Sequence, residues 1–279
     1  MHRISITIVF FTTFFVPLSG HSHSKLLATG GATQIEGQAG GGIVPWAVIS
    51  GYGDTGEWGV AAAFTRVNVD DLQLNIASIN ASVDNRVEFS FSRQELDVKP
   101  LDLQIRQDIF GAKISLAGDV LYGSVPQISL GMQYKKNRDF DVPASLGADS
   151  DSGVDIYFSS TRLWLNALLG RNVLANGTLR WTEANEVGLL GFGNAKGKGY
   201  SMQIETSVGL FISRHWVVGV EYRQMPNNLD GVREQDWWDA FVGWFPNKYV
   251  AVVAAYSDLG NVAGLPDQSG LYLSLQLTP

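Results

Sequence analysis

Over most of its length this chain alternates in character with a period of two. Residues 86–94 set Val87, Phe89 and Phe91 against Glu88, Ser90 and Ser92. Residues 127–135 set Ile128, Leu130, Met132 and Tyr134 against Ser129, Gly131, Gln133 and Lys135. Residues 201–210 and 216–223 repeat the pattern, and the chain closes with Leu271, Leu273, Leu275 and Leu277 between Tyr272, Ser274 and Gln276. Successive side chains of a strand point to opposite faces, so each segment carries one apolar face and one polar or small face. Two architectures satisfy this. A soluble antiparallel sheet turns the apolar face inward, whereas a membrane barrel turns it outward to lipid and its polar face to the lumen.

Three features favour the membrane. Met1, His2 and Arg3 make a basic start, residues 4–18 are largely apolar, and Ser19, Gly20, Ser22 and Ser24 follow. These are the marks of a secretory signal peptide. Cleavage is expected after Ser22 or Ser24, leaving residues 25–279 as a single β-barrel domain. No later apolar run reaches the ~20 residues of a spanning helix, so insertion into a bilayer requires a closed barrel, which satisfies its own backbone hydrogen bonds. Segments of about ten residues suit tilted spanning strands. The connections alternate in length, as in outer-membrane barrels with short turns on one side and long loops on the other. Tight links near residues 83–86, 122–125, 170–173, 213–215 and 246–248 alternate with long ones at 95–105, 137–152, 183–199 and 224–236. About thirteen segments lie between Ile43 and Leu277, and residues 26–35 supply one more. The expectation is an all-β antiparallel transmembrane barrel of about fourteen strands, with twelve as the alternative.

Several stretches together resemble a bacterial family described as a domain of unknown function and treated as outer-membrane β-barrel-like. They are Lys25-Leu-Leu-Ala-Thr-Gly-Gly, Gly42-Ile-Val-Pro-Trp-Ala-Val, Arg106-Gln-Asp-Ile-Phe-Gly-Ala-Lys, Asn176-Gly-Thr-Leu-Arg, Gly188-Leu-Leu-Gly-Phe-Gly, Trp244-Phe-Pro-Asn-Lys and Asp258-Leu-Gly-Asn. The resemblance covers nearly all of the mature chain and implies the barrel fold and a bacterial outer-membrane location. It carries over no catalytic residue. The chain departs from many outer-membrane barrels in ending on Thr278-Pro279 instead of an aromatic residue.

Material for catalysis is scarce. The sequence has no cysteine. Barrel hydrolases pair a serine with a histidine base; after signal removal His215 stands alone, in a tight turn on the expected periplasmic side. Asp139, Asp141, Asp149, Asp151 and Asp155 cluster near the 137–152 connection, but the closing glutamate of a calcium loop is missing. No metal or cofactor is expected. A net charge of −7 argues against a nucleic-acid partner. The tryptophans lie near segment ends, as in interfacial girdles, with Trp237 and Trp238 a candidate sugar-stacking pair.

The polar faces nominate a lumen lined by Arg66, Glu88, Lys113, Gln133, Lys135, Arg180, Glu205, Glu221 and Arg223, with Gln203 beside them. Both charge signs are present, so these groups form either a transverse field across a pore or a salt-bridged filling. The functional expectation is a passive pore or binding channel for small solutes. A non-conducting structural or interaction barrel is the alternative, and a lipid-modifying enzyme is a third, weaker reading. The expected surroundings are outer-membrane lipid and lipopolysaccharide.

Overall fold

The computed structural model describes residues 25–194, 196–197, 199–229 and 233–279. The expected signal peptide lies outside the described residues. Two short strands come first, β1 (Ala32–Thr33) and β2 (Ala39–Gly40). Twelve longer ones follow among the described residues: β3 (Trp58–Val69), β4 (Leu72–Val83), β5 (Val87–Val98), β6 (Leu103–Ala117), β7 (Gln127–Asn137), β8 (Ser152–Leu168), β9 (Arg171–Thr182), β10 (Ser201–Phe211), β11 (Trp216–Arg223), β12 (Trp237–Trp244), β13 (Val250–Asp258) and β14 (Ser269–Leu277). Each of β3 to β13 pairs antiparallel with the next, and β14 pairs back onto β3, so the sheet closes on itself. Closure leaves no edge strand with unpaired backbone groups.

The barrel therefore has twelve strands, the lower of the two expected numbers. The two extra segments expected within residues 26–52 are not part of the wall. They lack strict alternation, and every residue from Gly30 to Gly53 is buried. This stretch enters the lumen as a plug. Its tip turns at residues 34–37, where the Gly37 N–H donates to Gln34 O at 2.8 Å. Gly37 sits at φ 93°, and a Cβ there would meet Ser92 Cβ at 2.8 Å, so both conformation and space require glycine. One expected long link is also corrected. Residues 99–102 join β5 to β6 in four residues, because both strands extend further than the alternation alone suggests.

The alternation changes sense along the strands on one side of the barrel. In β3, Trp58, Val60, Ala62 and Phe64 face out, and then Arg66 and Asn68 face out, while Val67 and Val69 turn inward. In β5, Phe89 and Phe91 face out before Arg93, Glu95 and Asp97 do, and the inward residues change from Glu88, Ser90, Ser92 and Gln94 to Leu96 and Val98. β4 and β6 switch in step: Gln73 and Asn75 precede outward Ala77 and Ile79, and Arg106 and Asp108 precede outward Phe110 and Ile114. Below the switch the wall reads as in lipid, apolar out and polar in. Above it the wall reads as in water, apolar in and polar out.

The outward aromatics fall in two rings. Trp58, Trp164, Trp216, Trp244 and Tyr249 mark the end with short turns. Tyr134, Trp181, Tyr200, Tyr222, Trp238 and Tyr256 mark the end with long loops. Trp216 stacks on Trp244 at 5.7 Å and Trp181 on Tyr200 at 6.1 Å. Between the rings each strand from β9 to β14 presents apolar or small outward residues, such as Val208, Val242 and Leu275.

Leu275→Arg, placed in this belt, is expected to cost ~2–4 kcal/mol in the unfolding free energy of barrels reconstituted in lipid vesicles. Arg66→Ala, on the polar side of the switch, should shift the same denaturant midpoint by no more than ~0.5 kcal/mol equivalent.

Candidate functional site: the plugged lumen

The centre of the lumen is an ionic network closed by one plug residue. Glu36 accepts hydrogen bonds from Arg223 Nη1 and Nη2 at 3.0 Å each, from Arg180 Nη2 at 3.0 Å, and from Lys135 Nζ. Arg180 continues to Glu205 at 2.5 Å and to Asp155 at 3.1 Å. Lys135 also pairs with Asp155 at 2.6 Å, and Arg223 with Glu205 at 3.5 Å. Thr182 Oγ1 donates to the other Asp155 oxygen at 2.5 Å. Three cations and two carboxylates belong to the wall; the third carboxylate is Glu36. Every member is buried. Buried charges are tolerated when paired and fully hydrogen-bonded, and the plug completes that condition.

Strand register explains how these side chains meet. Glu205 lies directly across from Arg223, and Glu88 directly across from Lys113, so opposite charges face each other on adjacent strands. The Glu88–Lys113 pair, at 3.4 Å, grips the plug by its backbone. Lys113 Nζ donates to the carbonyls of Ala39, Trp46 and Val48, and Glu88 accepts from the Ala39 and Ser50 N–H groups. Glu221 accepts from the Gly42 and Ile43 N–H groups at 2.6 and 2.7 Å, from Ser207 Oγ at 2.5 Å and from Trp46 Nε1 at 3.3 Å. A Cβ at Gly41 would overlap the Glu221 carboxylate, so the backbone approaches this closely only as glycine. Gln133 Nε2 and Tyr157 OH both donate to Gln38 Oε1, at 2.8 and 2.7 Å.

The structure thus brings Glu88, Lys113, Gln133, Lys135, Arg180, Glu205, Glu221 and Arg223 into the interior, with Gln203 buried as well. Arg66 is the correction. It lies above the switch in β3, faces outward, and donates to Asn75 Oδ1 at 2.8 Å. Assigning it to the inner face by polarity is what places it wrongly; its phase in β3 is that of outward Trp58, Val60, Ala62 and Phe64. Glu36 and Asp155 belong to the site but were not expected there. Glu36 lies outside any alternating segment; its signal is a charge in a glycine-rich stretch. Asp155 was grouped with the acidic loop, although its place in β8 faces inward.

The other candidates separate. Asp139 pairs with Arg106 at 2.8 Å and Asp151 pairs with Lys136, so the acidic loop forms ion pairs with the neighbouring wall. Trp237 points into the barrel and Trp238 out of it, so the two cannot form one stacking platform. His215 takes a hydrogen bond from Arg214 and lies 2.8 Å from Phe245 O in an exposed turn.

An apolar layer covers the plug at the loop end. Val67, Leu72, Leu74, Leu96 and Ile105 from the wall meet Val187, Leu189, Trp237, Leu259 and Val262 from the loops and β12.

These features define a closed antiparallel β-barrel with an apolar outer belt and a charged lumen filled by its own N-terminal segment. The chain belongs to the family described as protein of unknown function (DUF3034), whose model matches residues 29–276. No curated protein matches it. Among solved structures it is similar to the outer membrane protein Omp33 of Acinetobacter baumannii (9% identity, 79% of this chain and 97% of that chain, TM-score 0.46). It is also similar to an outer membrane channel from Pseudomonas putida F1 (8%, 80% and 95%, 0.47) and to outer membrane phospholipase A from Escherichia coli (8%, 81% and 92%, 0.40).

Glu36→Ala removes the plug's carboxylate and leaves three buried cations facing two acids. Stability is expected to fall by ~3–5 kcal/mol, read as a lower temperature for loss of the fast-migrating folded band on unboiled gels.

Proposed function

We propose that this chain is an outer-membrane β-barrel whose lumen is a channel for small polar solutes, held shut by its own N-terminal segment. The outer belt and its two aromatic rings support the membrane location. The channel reading rests on one observation: through the belt the inner face of β5 and of β7 to β10 is mostly polar and charged, and a segment outside the wall supplies the missing charge. A barrel filled only for stability gains little from such a wall, because apolar residues of similar volume fill a core as well or better than buried ion pairs. A charged wall can rehydrate when the plug leaves. Both signs line it, so small polar or zwitterionic solutes fit better than bulky apolar ones. Passage is then gated, since the plug occupies the lumen in this state. The surroundings are outer-membrane lipids and lipopolysaccharide at the belt, and the lumen offers binding and passage, not catalysis.

The apolar cap and the continuous burial of the plug favour a second reading, a non-conducting barrel whose loops bind a partner. Planar-bilayer recording separates the two. The intact protein is expected to be silent for long periods. A variant lacking residues 30–50, or Glu36→Ala if that deletion does not fold, is expected to show unitary conductance steps. A variant that keeps its heat-modifiable migration yet never conducts would exclude the channel.

A further inference from the structure

The cap over the plug contains two carboxyls that take no part in the ionic network. Glu186 lies in a short 3-10 turn (Asn185–Gly188) and is 1% exposed; Glu234, in the connection between β11 and β12, is 3% exposed. The Glu186 N–H donates to Glu234 Oε2 at 3.1 Å. Among the described residues, the remaining Glu234 oxygen and both Glu186 oxygens lack a hydrogen bond of good geometry, the Ala263 N–H approaching Glu186 only loosely. Glu186 borders a cavity of about 20 Å³ whose walls are otherwise apolar, among them Val67, Leu74, Trp237 and Val262. That volume holds about one water.

The turn carrying Glu186 is strained. Glu186 sits at φ 43° and Val187 at φ 57°, a left-handed conformation that is unfavourable for a β-branched residue and persists only where surroundings enforce it. The enforcement comes from the plug level. Lys135 Nζ and Gln107 Nε2 donate to Val187 O at 3.1 and 3.2 Å, and Asn137 Nδ2 donates to Leu189 O at 2.7 Å. Lys135 is the same cation that binds Glu36. The turn and the plug therefore share one anchor.

We propose that Glu186 and Glu234 form a pH-operated latch over the plug, shut while the pair holds protons and released when both carboxyls ionise. The inference rests on the gated-channel reading and names how the gate is regulated. Two carboxylates buried near one another beside apolar walls cannot both carry charge at low cost. Burial, reinforced by the neighbouring Glu234, holds the Glu186 carboxyl well above the usual carboxylate range, with the Ala263 N–H opposing in part. Burial pushes Glu234 up to about 8, the Glu186 N–H opposing.

The charged groups on the surrounding elements are engaged elsewhere, except Asp239 on β12, which is buried below Trp237 and opposite Glu221 with neither oxygen hydrogen-bonded among the described residues. Lys135, Arg180 and Arg223 hold Glu36. Asp70 and Asp71 bond Ser269 and Gln268, and Lys99 donates to the Val69 and Asp70 carbonyls. On β6, Arg106 pairs with Asp139, and Asp108 with Arg93 and Arg138. Asp236 accepts from Tyr222 and the Met225 N–H, Asp258 accepts from the Gly260 N–H, and Arg233 is exposed. A hard cation suits the pair less well, because it needs six or more oxygen ligands and the cavity walls are apolar.

The sign follows from proton linkage. Once released, both groups return toward 4.5, so the shut form binds more protons than the open one. The latch is at full strength below about 4.5 and weakens as pH rises through about 8. The test is amide hydrogen exchange of residues 185–191 in the full-length barrel in nanodiscs, with rates divided by their intrinsic values. Protection is expected to fall about tenfold per pH unit for each proton lost on opening, so up to about a hundredfold per unit with both carboxyls, between pH 6 and pH 8. Glu186→Gln with Glu234→Gln should give high, pH-independent protection, while Glu234→Asp, which keeps the titrating group, should retain the slope. A flat profile in the unmodified protein, or an unchanged slope in the double Gln variant, overturns the latch. The plug-deleted barrel separates the two readings. A pH-dependent cap on a barrel that never conducts keeps the latch and removes the channel; a conducting plug-free barrel under a pH-flat cap does the reverse.

Discussion

The carboxylate of Glu36 is the contact on which the rest of this interior depends. Lys135, Arg180 and Arg223 converge from three strands, and the wall supplies only Asp155 and Glu205 to balance them. In a low-dielectric interior an unmatched cation costs more than any single hydrogen bond returns. The plug tip is therefore held by charge closure as well as by shape. The same carboxylate fixes register along the plug, because it sets where Gln38, Gly41 and Gly42 meet Tyr157 and Glu221. Apolar packing holds the plug too, since Ile35, Ile43, Val44, Trp46 and Val48 of the plug share one buried cluster with Val217, Phe241, Val253 and Ala255 of the wall.

Wall and plug solve complementary problems. A strand whose outer face is apolar must turn its polar face inward, and pairs between neighbouring strands such as Arg180–Glu205 and Lys135–Asp155 leave further inward donors and acceptors to satisfy. Inserting a polypeptide meets them with backbone donors and acceptors. Lys113 and Glu88 use the plug in this way, one donating to three carbonyls and the other accepting from two N–H groups. An inserted chain offers both kinds of partner at every residue, which an apolar filling cannot.

Much of the wall is legible in the sequence because alternation is a local property. Strands β5, β7, β10, β11 and β14 follow directly from it, as do most of the short turns. What escaped is non-local. Residues 30–53 carry no alternation because they pair with side chains from many strands and not with a neighbouring strand, so their place in the lumen has no periodic signature. Glu36 was missed for that reason. Arg66 was misplaced for a different one: its strand keeps a single geometric phase while the surrounding medium changes, and hydropathy alone reads that change as a continued inner face. Asp155 shows the same difficulty at a strand start, where loop and wall have similar composition. The Glu186–Glu234 contact joins residues far apart in sequence and depends on how two loops fold over the mouth.

The reversal of polarity in β3 to β6 also shapes the rim. Those strands carry on past the apolar belt, whereas β11 to β14 span only eight or nine residues each. The barrel is consequently taller on one flank, like a cup with a notch cut in its lip. From the low flank come the connections that carry Glu234 and Val262, and they meet the turn carrying Glu186 against the inner faces of β3 to β7. A molecule reaching the plug from outside meets a wall of paired Arg and Asp side chains on the high flank and the lipid headgroup layer on the low one. On the proposed membrane reading the approach to the plug from the low flank is sidelong, and it meets first the loops folded over the mouth.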